Sequence, residues 1–448
     1  MDNNEKNGSR LDYENGKITP LFCKVFFPTL LGMIFNALIT IVDGVFVGRG
    51  VGPEGIAAVN IIAPLFMVTT GIGLMFGIGA SVSAGIALAA KDGAKANRIV
   101  TSAFLFSTCT IVVMVGLCGA FPYQVAGMLG CSDVLMDKAT DYLLFLLIGL
   151  VPLMWQSIGM MVIRLDGSPK YAMMCNVVPS VINIILDWWF VFPLGMGVKG
   201  AALATSIACA LGGLMAVSYF RFSYALKFTR RLKAFRNTVW AQIKIGSSAF
   251  VTEIAMSIMM LTGNVVFMKS FSENGVAAYS IACYLFPLIF MINNAVAQSA
   301  QPIISVNYGK GNRKRVKEAL KVSLTVAFIC GSLATLGIGL GATRIVSLFI
   351  APDSEAAQIA MAGLPIFSLT GIFFAMNIAM IGFYQSVEMS MKALVFTLLR
   401  GVIVLVPMFF TLAAVFPKWG MWGAIPSSEA ITLIVILITF AVSRRRGK

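Results

Sequence analysis

Long apolar runs are the feature of this chain that most constrains its fold. About 20 apolar residues cover the hydrocarbon core of a bilayer at a rise of about 1.5 Å per residue. Apolar residues fill 58% of the 448 positions, more than a soluble domain can bury. The chain is therefore predicted to be an all-α integral membrane protein. Twelve spans are predicted, approximately 21–47, 55–88, 99–122, 140–162, 171–192, 200–220, 243–268, 276–306, 319–341, 358–385, 393–416 and 421–442.

The distribution of Lys and Arg predicts the orientation of these spans. The side that holds both termini and the even-to-odd connections has 27 basic residues, whereas the other side has six. Under the positive-inside rule both termini are cytoplasmic, in the cell inner or cytoplasmic membrane. This asymmetry also accounts for the net charge of +15, so the bilayer is a predicted partner and nucleic acid is not.

An internal repeat divides the chain into two halves. "GIAAVNIIAPLF" (55–66) resembles "GVAAYSIACYLF" (275–286), and "FPLGMGVKGAALATS" (192–206) resembles "FPKWGMWGAIPSS" (416–428). Because six helices separate the copies, we expect two six-helix lobes related by a parallel pseudo-two-fold repeat. The predicted divisions are a cytoplasmic tail (1–17), an N-terminal lobe (18–220), a cytoplasmic linker (221–242), a C-terminal lobe (243–442) and a basic cytoplasmic tail (443–448).

Polar residues inside the apolar runs mark a candidate ion site. Asp43, Asp187 and Thr205 each lie six residues from the outer end of a span, about 9 Å below the outer surface. Asn183 lies one turn from Asp187 on the same helix face. Their oxygens suit a hard cation such as Na⁺, and two neighbouring carboxylates also suit a proton. An acid that snorkels to the interface or caps a helix is the alternative.

The repeat predicts that this acidic site has no counterpart in the second half. Shifted by about 220 residues, Asp43 falls on Gly263 and Asp187 falls on Phe410 or Thr411. The buried acids are therefore expected to belong to one lobe. Arg400 falls within a predicted helix, whereas nearly every other Lys and Arg lies outside the bilayer.

Two absences exclude several classes of function. The chain contains no histidine, which removes the commonest metal ligand and the usual acid-base catalyst at neutral pH. It also lacks the GxxxxGK[ST] loop that binds nucleotide phosphates. We therefore predict that the protein is not an enzyme, needs no cofactor and uses an ion gradient for any transport work.

Three segments resemble the multidrug and toxic compound extrusion (MATE) family: "TIVDGVFVGRGVGPEGIAAVNI", "KDGAKANR" and "IRLDGSPKYAMMCNVVPSVINIILDWWFVFPLGMGVKGAALATSIA". The resemblance spans essentially the whole chain and is strongest to the branch with an aspartate pair in the N-terminal lobe. It implies a secondary antiporter that exports cationic or amphipathic drug-like compounds in exchange for Na⁺ or H⁺ by alternating access. The resemblance also implies that the cation site is formed by Asp43, Asn183, Asp187 and Thr205. The choice of Thr205 rather than the neighbouring Ser206 rests on this resemblance.

The second half departs from the pattern of the family. Glu253 matches a seventh-helix glutamate that other members pair with a tenth-helix aspartate, but residues 363–387 contain no acid. Glu253 is therefore a candidate second acidic site that binds either an ion or a cationic substrate. Other polar residues are candidates to line the central cavity, with interhelical hydrogen bonds as an equal alternative: Asn36, Gln156, Asn293, Asn294, Gln298 and Asn377.

A lipid or lipid-linked saccharide flippase of the same superfamily is the alternative function. The number of spans and the scarcity of basic residues inside the bilayer weigh against it. Small organic cations or amphipathic drugs are the expected substrates, and we expect the protein to function as a monomer. The glycines at 71, 73, 77 and 79 predict close packing of the second helix.

Overall fold

The structure, a computed structural model, describes residues 11–131, 133–230 and 235–446. These residues are helical almost throughout, and no β-strand occurs among them. The predicted tails and linker fall partly outside the described residues, at 1–10, 231–234 and 447–448. In chain order the helices of the first half are α1 (Ile18–Gly50), α2 (Pro53–Ala89), α3 (Gly93–Ala120), α4 (Pro122–Met128), α5 (Met136–Leu165), α6 (Pro169–Val191) and α7 (Gly197–Ser218).

The helix Phe235–Gly309 contains two membrane spans rather than one. Its 75 residues would extend about 110 Å as a straight helix, whereas the hydrocarbon core is about 30 Å thick. Ser272 breaks it with non-helical dihedral angles (φ 54°, ψ −145°), so we number the helix α8 before this residue and α9 after it. The helices that follow are α10 (Arg313–Phe349), α11 (Glu355–Ser368), α12 (Thr370–Ser386), α13 (Ser390–Leu398), α14 (Leu405–Val415) and α15 (Ala424–Arg446).

The described part of the chain contains eleven helical segments long and apolar enough to cross a membrane. The segment that Ser272 interrupts counts once among them, so its division gives twelve spans. The prediction of an all-α membrane protein with twelve spans is confirmed. The chain is a multi-pass membrane protein.

Local sequence signals set several helix ends. The Asp92 carboxylate caps α3 by accepting a hydrogen bond from the Lys95 N–H at 2.8 Å, because the first N–H groups of a helix have no partner within it. The Ser354 hydroxyl caps α11 in the same way at 3.2 Å. Helices α2, α4 and α6 each begin with proline, whose missing N–H costs nothing at that position.

The chain forms two compact units, the first comprising Met1–Phe250 and Ser305–Arg313 and the second Val251–Ile304 and Lys314–Lys448. The predicted lobe boundaries at 220 and 243 stay a prediction. Within the first unit α2 approaches its neighbours at glycines. A Cβ on Gly73 would lie 2.6 Å from the Ser157 Cβ, and one on Gly79 would lie 2.4 Å from the Gln242 carbonyl oxygen. Such contacts let backbones approach closely where lipid supplies no hydrophobic driving force.

Hydrogen bonds to Asp166 hold the segment that follows α7. This fully buried carboxylate accepts hydrogen bonds from the backbone N–H groups of Tyr224 and Ala225, at 2.8 and 2.9 Å. It also accepts one from the Tyr219 hydroxyl at 2.7 Å. These three bonds fix the start of the predicted linker.

Aromatic side chains fill the core of the second unit around Gly363. The rings of Phe267, Tyr279, Phe409 and Trp422 contact one another, and Phe267 stacks on Tyr279 at 4.6 Å between centroids. A Cβ on Gly363 would lie 2.0 Å from the Trp422 indole. Only glycine therefore lets α11 approach this indole so closely.

Candidate functional site

Asp43 and Asp187 come together inside the first unit. Asp43 lies on α1, and Asn183 and Asp187 lie on α6, which packs against both α1 and α7. Asp187 is fully buried and Asn183 is 1% exposed. The two carboxyl groups are close enough to interact electrostatically. The spacing of four residues on α6 places Asn183 and Asp187 on one face, as the sequence predicts.

Four polar atoms of this cluster are buried without hydrogen-bond partners in the described part of the chain. They are both carboxylate oxygens of Asp187, Oδ1 of Asp43 and Nδ2 of Asn183. A buried polar group without a partner is costly, and a buried charge without one costs much more. The arrangement therefore fits a bound cation or proton, which would compensate the carboxylates.

The remaining member of the predicted set lies on α7, and one further residue lies near the two aspartates. Thr205 of α7 is half-buried, and within the described residues it makes no hydrogen bond to the Asp187 carboxylate. Tyr142 of α5 is 6% exposed and lies near both aspartates. Sequence reasoning missed Tyr142. Its position four residues from Lys138 was the available signal, since it places the phenol about 6 Å below the same surface.

Gln156 takes part in an interhelical hydrogen-bond pair. Its Nε2 donates to the Asn176 Oδ1 at 2.9 Å and to the Cys175 carbonyl at 2.7 Å. The Asn176 amide lies against α1, where a Cβ on Gly32 would be 3.3 Å from it. Asn36 is exposed on α1. Gln156 therefore joins α5 to α6, the alternative role that its position left open.

Glu253 is a buried acid of the second unit. It lies on α8 and is 8% exposed. On α9, Asn293 is buried and donates from Nδ2 to the Ile289 carbonyl of its own helix at 2.8 Å, whereas its Oδ1 is buried without a partner in the described residues. Asn294 is half-buried and Gln298 is buried. Two of the three polar residues predicted to line a cavity from α9 are therefore buried.

A second buried acid, Glu429, forms an ion pair with Arg400. The Arg400 Nε donates to the two Glu429 oxygens at 3.0 and 3.2 Å, and Asn377 Nδ2 donates to Glu429 Oε2 at 2.7 Å. Arg400, Glu429 and Asn377 are 5%, 2% and 0% exposed. The repeat predicts no counterpart of Asp43 and Asp187 at the matching positions, but the second unit holds buried acids at other positions, Glu253 and Glu429.

Sequence reasoning missed Glu429 although a signal was present. Glu429 is the only acid in the predicted span 421–442 and directly follows the repeat element 416–428. The comparison of the two halves considered only the positions that match Asp43 and Asp187, and Glu429 matches neither. Glu429 lies on α15, a helix that this comparison did not consider, and there it contacts Asn377.

Comparison with known proteins supports this architecture. The family model described as MatE matches residues 28–189 and again 248–410, so the two halves match the same model in succession. The multidrug export protein MepA of Staphylococcus aureus (strain MRSA252) is 24% identical over 444 residues, covering 97% of this chain and 96% of the relative. MepA of Staphylococcus haemolyticus is 23% identical over 439 residues with the same coverage.

Solved structures share the fold. The outward-facing conformation of a multidrug resistance MATE family transporter of the MOP superfamily superposes with a TM-score of 0.91 at 22% identity, covering 98% of this chain and 99% of that one. A MOP superfamily transporter from Pyrococcus furiosus, whose binding pocket is described as reversed in polarity, superposes with a TM-score of 0.87 at 23% identity, with 97% of each chain covered. With two successive matches to its family model and this fold along nearly its whole length, the chain belongs to the MatE family of transporters.

Proposed function

We propose that this protein exports cationic or amphipathic compounds in exchange for Na⁺ or H⁺, and that the ion binds at Asp43, Asn183, Asp187 and Thr205. The observation that carries the proposal is the cluster of buried carboxylate oxygens without partners on α1 and α6. The names of the relatives, multidrug export proteins that align over 97% of this chain, support the substrate class. The aspartate pair also supports assignment to the branch with an ion site in the N-terminal lobe.

Coupling requires that the ion favour one conformation of the transporter over the other. An ion that bound both conformations equally would shift no equilibrium. Helix α1 is long and contains Pro28, and a proline inside a helix removes one backbone hydrogen bond and permits a bend. Binding of the ion between α1 and α6 would favour the arrangement of α1 in which the two aspartates approach each other.

The proposed orientation places both termini in the cytoplasm, with the protein acting as a monomer in the cytoplasmic membrane. Substrate is then taken up from the cytoplasm and released when the ion binds from outside. The charge asymmetry of the connections supports this orientation. To test it, single cysteines are introduced at positions 7 and 446, and intact cells are treated with an impermeant thiol reagent. Labelling of either position without lysis would contradict it.

Transport in sealed proteoliposomes tests the function. Ethidium is the fluorescent cation, and Na⁺ and pH gradients are imposed separately. We expect one gradient to drive ethidium movement, and Asp43→Asn and Asp187→Asn to lower the gradient-driven rate roughly tenfold or more, because each removes a charge that the ion must compensate. Asp137→Asn is the matched control, since this exposed aspartate lies at the start of α5.

Two results would contradict the proposal. Gradient-driven export that survives Asp43→Asn would remove this carboxylate from the coupling site. Movement of a fluorescent lipid or lipid-linked saccharide, with no gradient-driven movement of ethidium, would favour the flippase alternative. Asp137→Asn must retain the wild-type rate for either comparison to hold.

A further inference from the structure

A short segment before α1, residues 11–16, is bound to the turn between α5 and α6. We call these residues the N-terminal segment. The Tyr13 side chain is 5% exposed, and its hydroxyl donates a hydrogen bond to the Arg164 carbonyl at the end of α5. The Leu11 N–H donates to the Gly167 carbonyl of the turn at 3.4 Å. A buried phenol whose hydroxyl is satisfied holds the N-terminal segment in place, because both its ring and its polar end have partners.

The same segment also holds the end of α9. The Asn307 side chain is 1% exposed, and its Nδ2 donates to the Tyr13 carbonyl at 2.9 Å. Lys310, directly after α9, forms an ion pair with Glu14. All of these contacts lie within the first compact unit. The N-terminal segment therefore joins the α5–α6 turn to the end of α9.

The shape of the N-terminal segment is set by Asp12. Its carboxylate accepts hydrogen bonds from the backbone N–H groups of Glu14 and Asn15, at 2.9 and 3.1 Å. The Gly16 N–H donates to the Asp12 carbonyl at 3.2 Å. Aspartate stabilises turns in this way, by accepting from the backbone a few residues ahead. The segment is thus pre-organised, so less conformational entropy is lost when it binds α9.

The end of α9 is held separately from the rest of this helix. The first unit includes α9 only from Ser305 onward, and the preceding part lies in the second unit. Pro302 lies just before this division, and a proline inside a helix removes one backbone hydrogen bond and permits a bend. Beyond it the helix packs closely on α2, where a Cβ on Gly309 would lie 2.8 Å from the Ile86 Cα. The last turn of α9 is therefore held by α2 and by the N-terminal segment.

We propose that the N-terminal segment is a latch that holds the last turn of α9 in the first unit, and that this latch must release when the transporter opens to the cytoplasm. The proposed orientation places these contacts at the cytoplasmic surface. Helix α9 belongs to the second half of the repeat, and alternating access moves one repeat against the other. The latch therefore favours the conformation closed to the cytoplasm, in which the ion binds from outside. This inference rests on the proposed function and adds a control of its conformational step.

Labelling of a thiol introduced by Ser305→Cys tests the proposal. Ser305 is fully buried, and a Cβ on Gly85 of α2 would lie 2.7 Å from its hydroxyl. A water-soluble maleimide therefore reaches position 305 only when the last turn of α9 leaves α2. The full-length protein is labelled in nanodiscs without an ion gradient, and peptide mass spectrometry gives the rate at position 305 apart from the native cysteines. This rate follows the population of the open form when opening and closing are fast.

Three variants in this background should speed labelling at position 305. Tyr13→Phe removes one buried hydrogen bond and should raise the rate roughly fivefold. Tyr13→Ala also removes the buried ring and should raise it roughly tenfold or more. Glu14→Gln removes only a half-exposed ion pair and should raise it by about threefold at most. The matched controls, Tyr123→Phe and Glu54→Gln, change exposed residues outside the latch and should leave the rate unchanged.

A transport measurement separates a latch from local fraying of the helix end. In sealed proteoliposomes Tyr13→Phe should need a higher concentration of the driving ion for half-maximal ethidium export, because the conformation that binds the ion is less favoured. Faster labelling at position 305 with an unchanged ion dependence of export would overturn the latch.

The remaining outcomes separate this proposal from the proposed function. An unchanged labelling rate in Tyr13→Ala would overturn the latch whatever the transport result. An equal rise at Cys118, a buried native thiol of α3, would also overturn it, because the whole unit would then have loosened. Faster labelling at position 305 alone, with no wild-type ethidium export under either gradient, would support the latch and refute the proposed coupling. Tyr13→Phe decides in place of Tyr13→Ala if the latter is not monodisperse.

Discussion

The buried ion pair predicts a stability effect whose sign depends on how many partners are removed. Glu429 accepts two hydrogen bonds from Arg400 and one from the Asn377 side chain, and all three residues are at most 5% exposed. Replacing Glu429 by leucine leaves the guanidinium buried with no counter-charge. Replacing Arg400 by methionine as well removes that charge, and methionine keeps much of the volume of the arginine stem.

The expected magnitudes follow from this geometry. Breaking a buried pair by removing one partner costs about 3–5 kcal/mol, whereas replacing both partners by apolar residues is often neutral or stabilising. We expect Glu429→Leu and Arg400→Met each to lower the free energy of unfolding by about 3 kcal/mol or more. The double variant R400M/E429L should lie within about 1 kcal/mol of wild type, or above it. The coupling free energy of the cycle should then be about 5 kcal/mol or more, since the two single losses would not add.

Unfolding by sodium dodecyl sulfate in mixed micelles, followed by circular dichroism, measures the four proteins of the cycle. Glu54→Gln is the control, because Glu54 pairs with Lys138 at a site where both side chains are at least 40% exposed. Exposed pairs contribute little, so this control should unfold with wild type. A double variant as unstable as the less stable single variant would refute the reasoning, because it would mean that lost packing rather than an unpaired charge causes the effect.

Two further predictions concern packing and the linker. Gly363→Ala should lower the free energy of unfolding by about 1–3 kcal/mol, because the new Cβ would lie 2.0 Å from the Trp422 indole. Gly337→Ala is the control and should leave the free energy of unfolding unchanged, because nothing lies within 4 Å of its Cβ position. Asp166→Ala should speed amide exchange at residues 224–225, whose N–H groups its carboxylate accepts at 2.8 and 2.9 Å. Unchanged protection in hydrogen-exchange mass spectrometry would contradict that role of Asp166.

The membrane spans could be predicted from the sequence because the bilayer sets their length and composition directly. The predicted boundary between the seventh and eighth spans fell at 268–276, around the polar residues Ser272 and Glu273. In the structure the helix breaks within this stretch, at Ser272, whose dihedral angles are non-helical. The lengths of the two apolar runs therefore located the break between these spans.

The partners within the candidate sites could be predicted only in part. Counting residues from a helix end gives the depth of a side chain, and this placed Asp43 and Asp187 at one level. It does not give the rotation of each helix about its axis, which decides which side chains meet. For this reason the sequence did not predict that Tyr142 lies near the aspartates. It placed Arg400 within a helix but did not predict its pairing with Glu429.

The repeat relates the two sites, which differ in how the charges of their acids are compensated. Aligning Phe192 with Phe416 places Thr205 opposite Glu429 and, at the same offset, Asn176 opposite Arg400. The second unit therefore carries an acid and a base where the first carries neutral side chains, and the two charges compensate each other within hydrogen-bonding distance.

The first unit instead places two carboxylates together with no basic side chain bonded to either in its described residues. Two like charges that are buried together need a positive charge from outside the chain, whereas a paired acid and base do not. Glu253 is a single acid and lacks the second carboxylate that would strengthen such a demand. A cation that binds from solution is therefore expected to bind in the first unit rather than beside the paired Arg400 and Glu429.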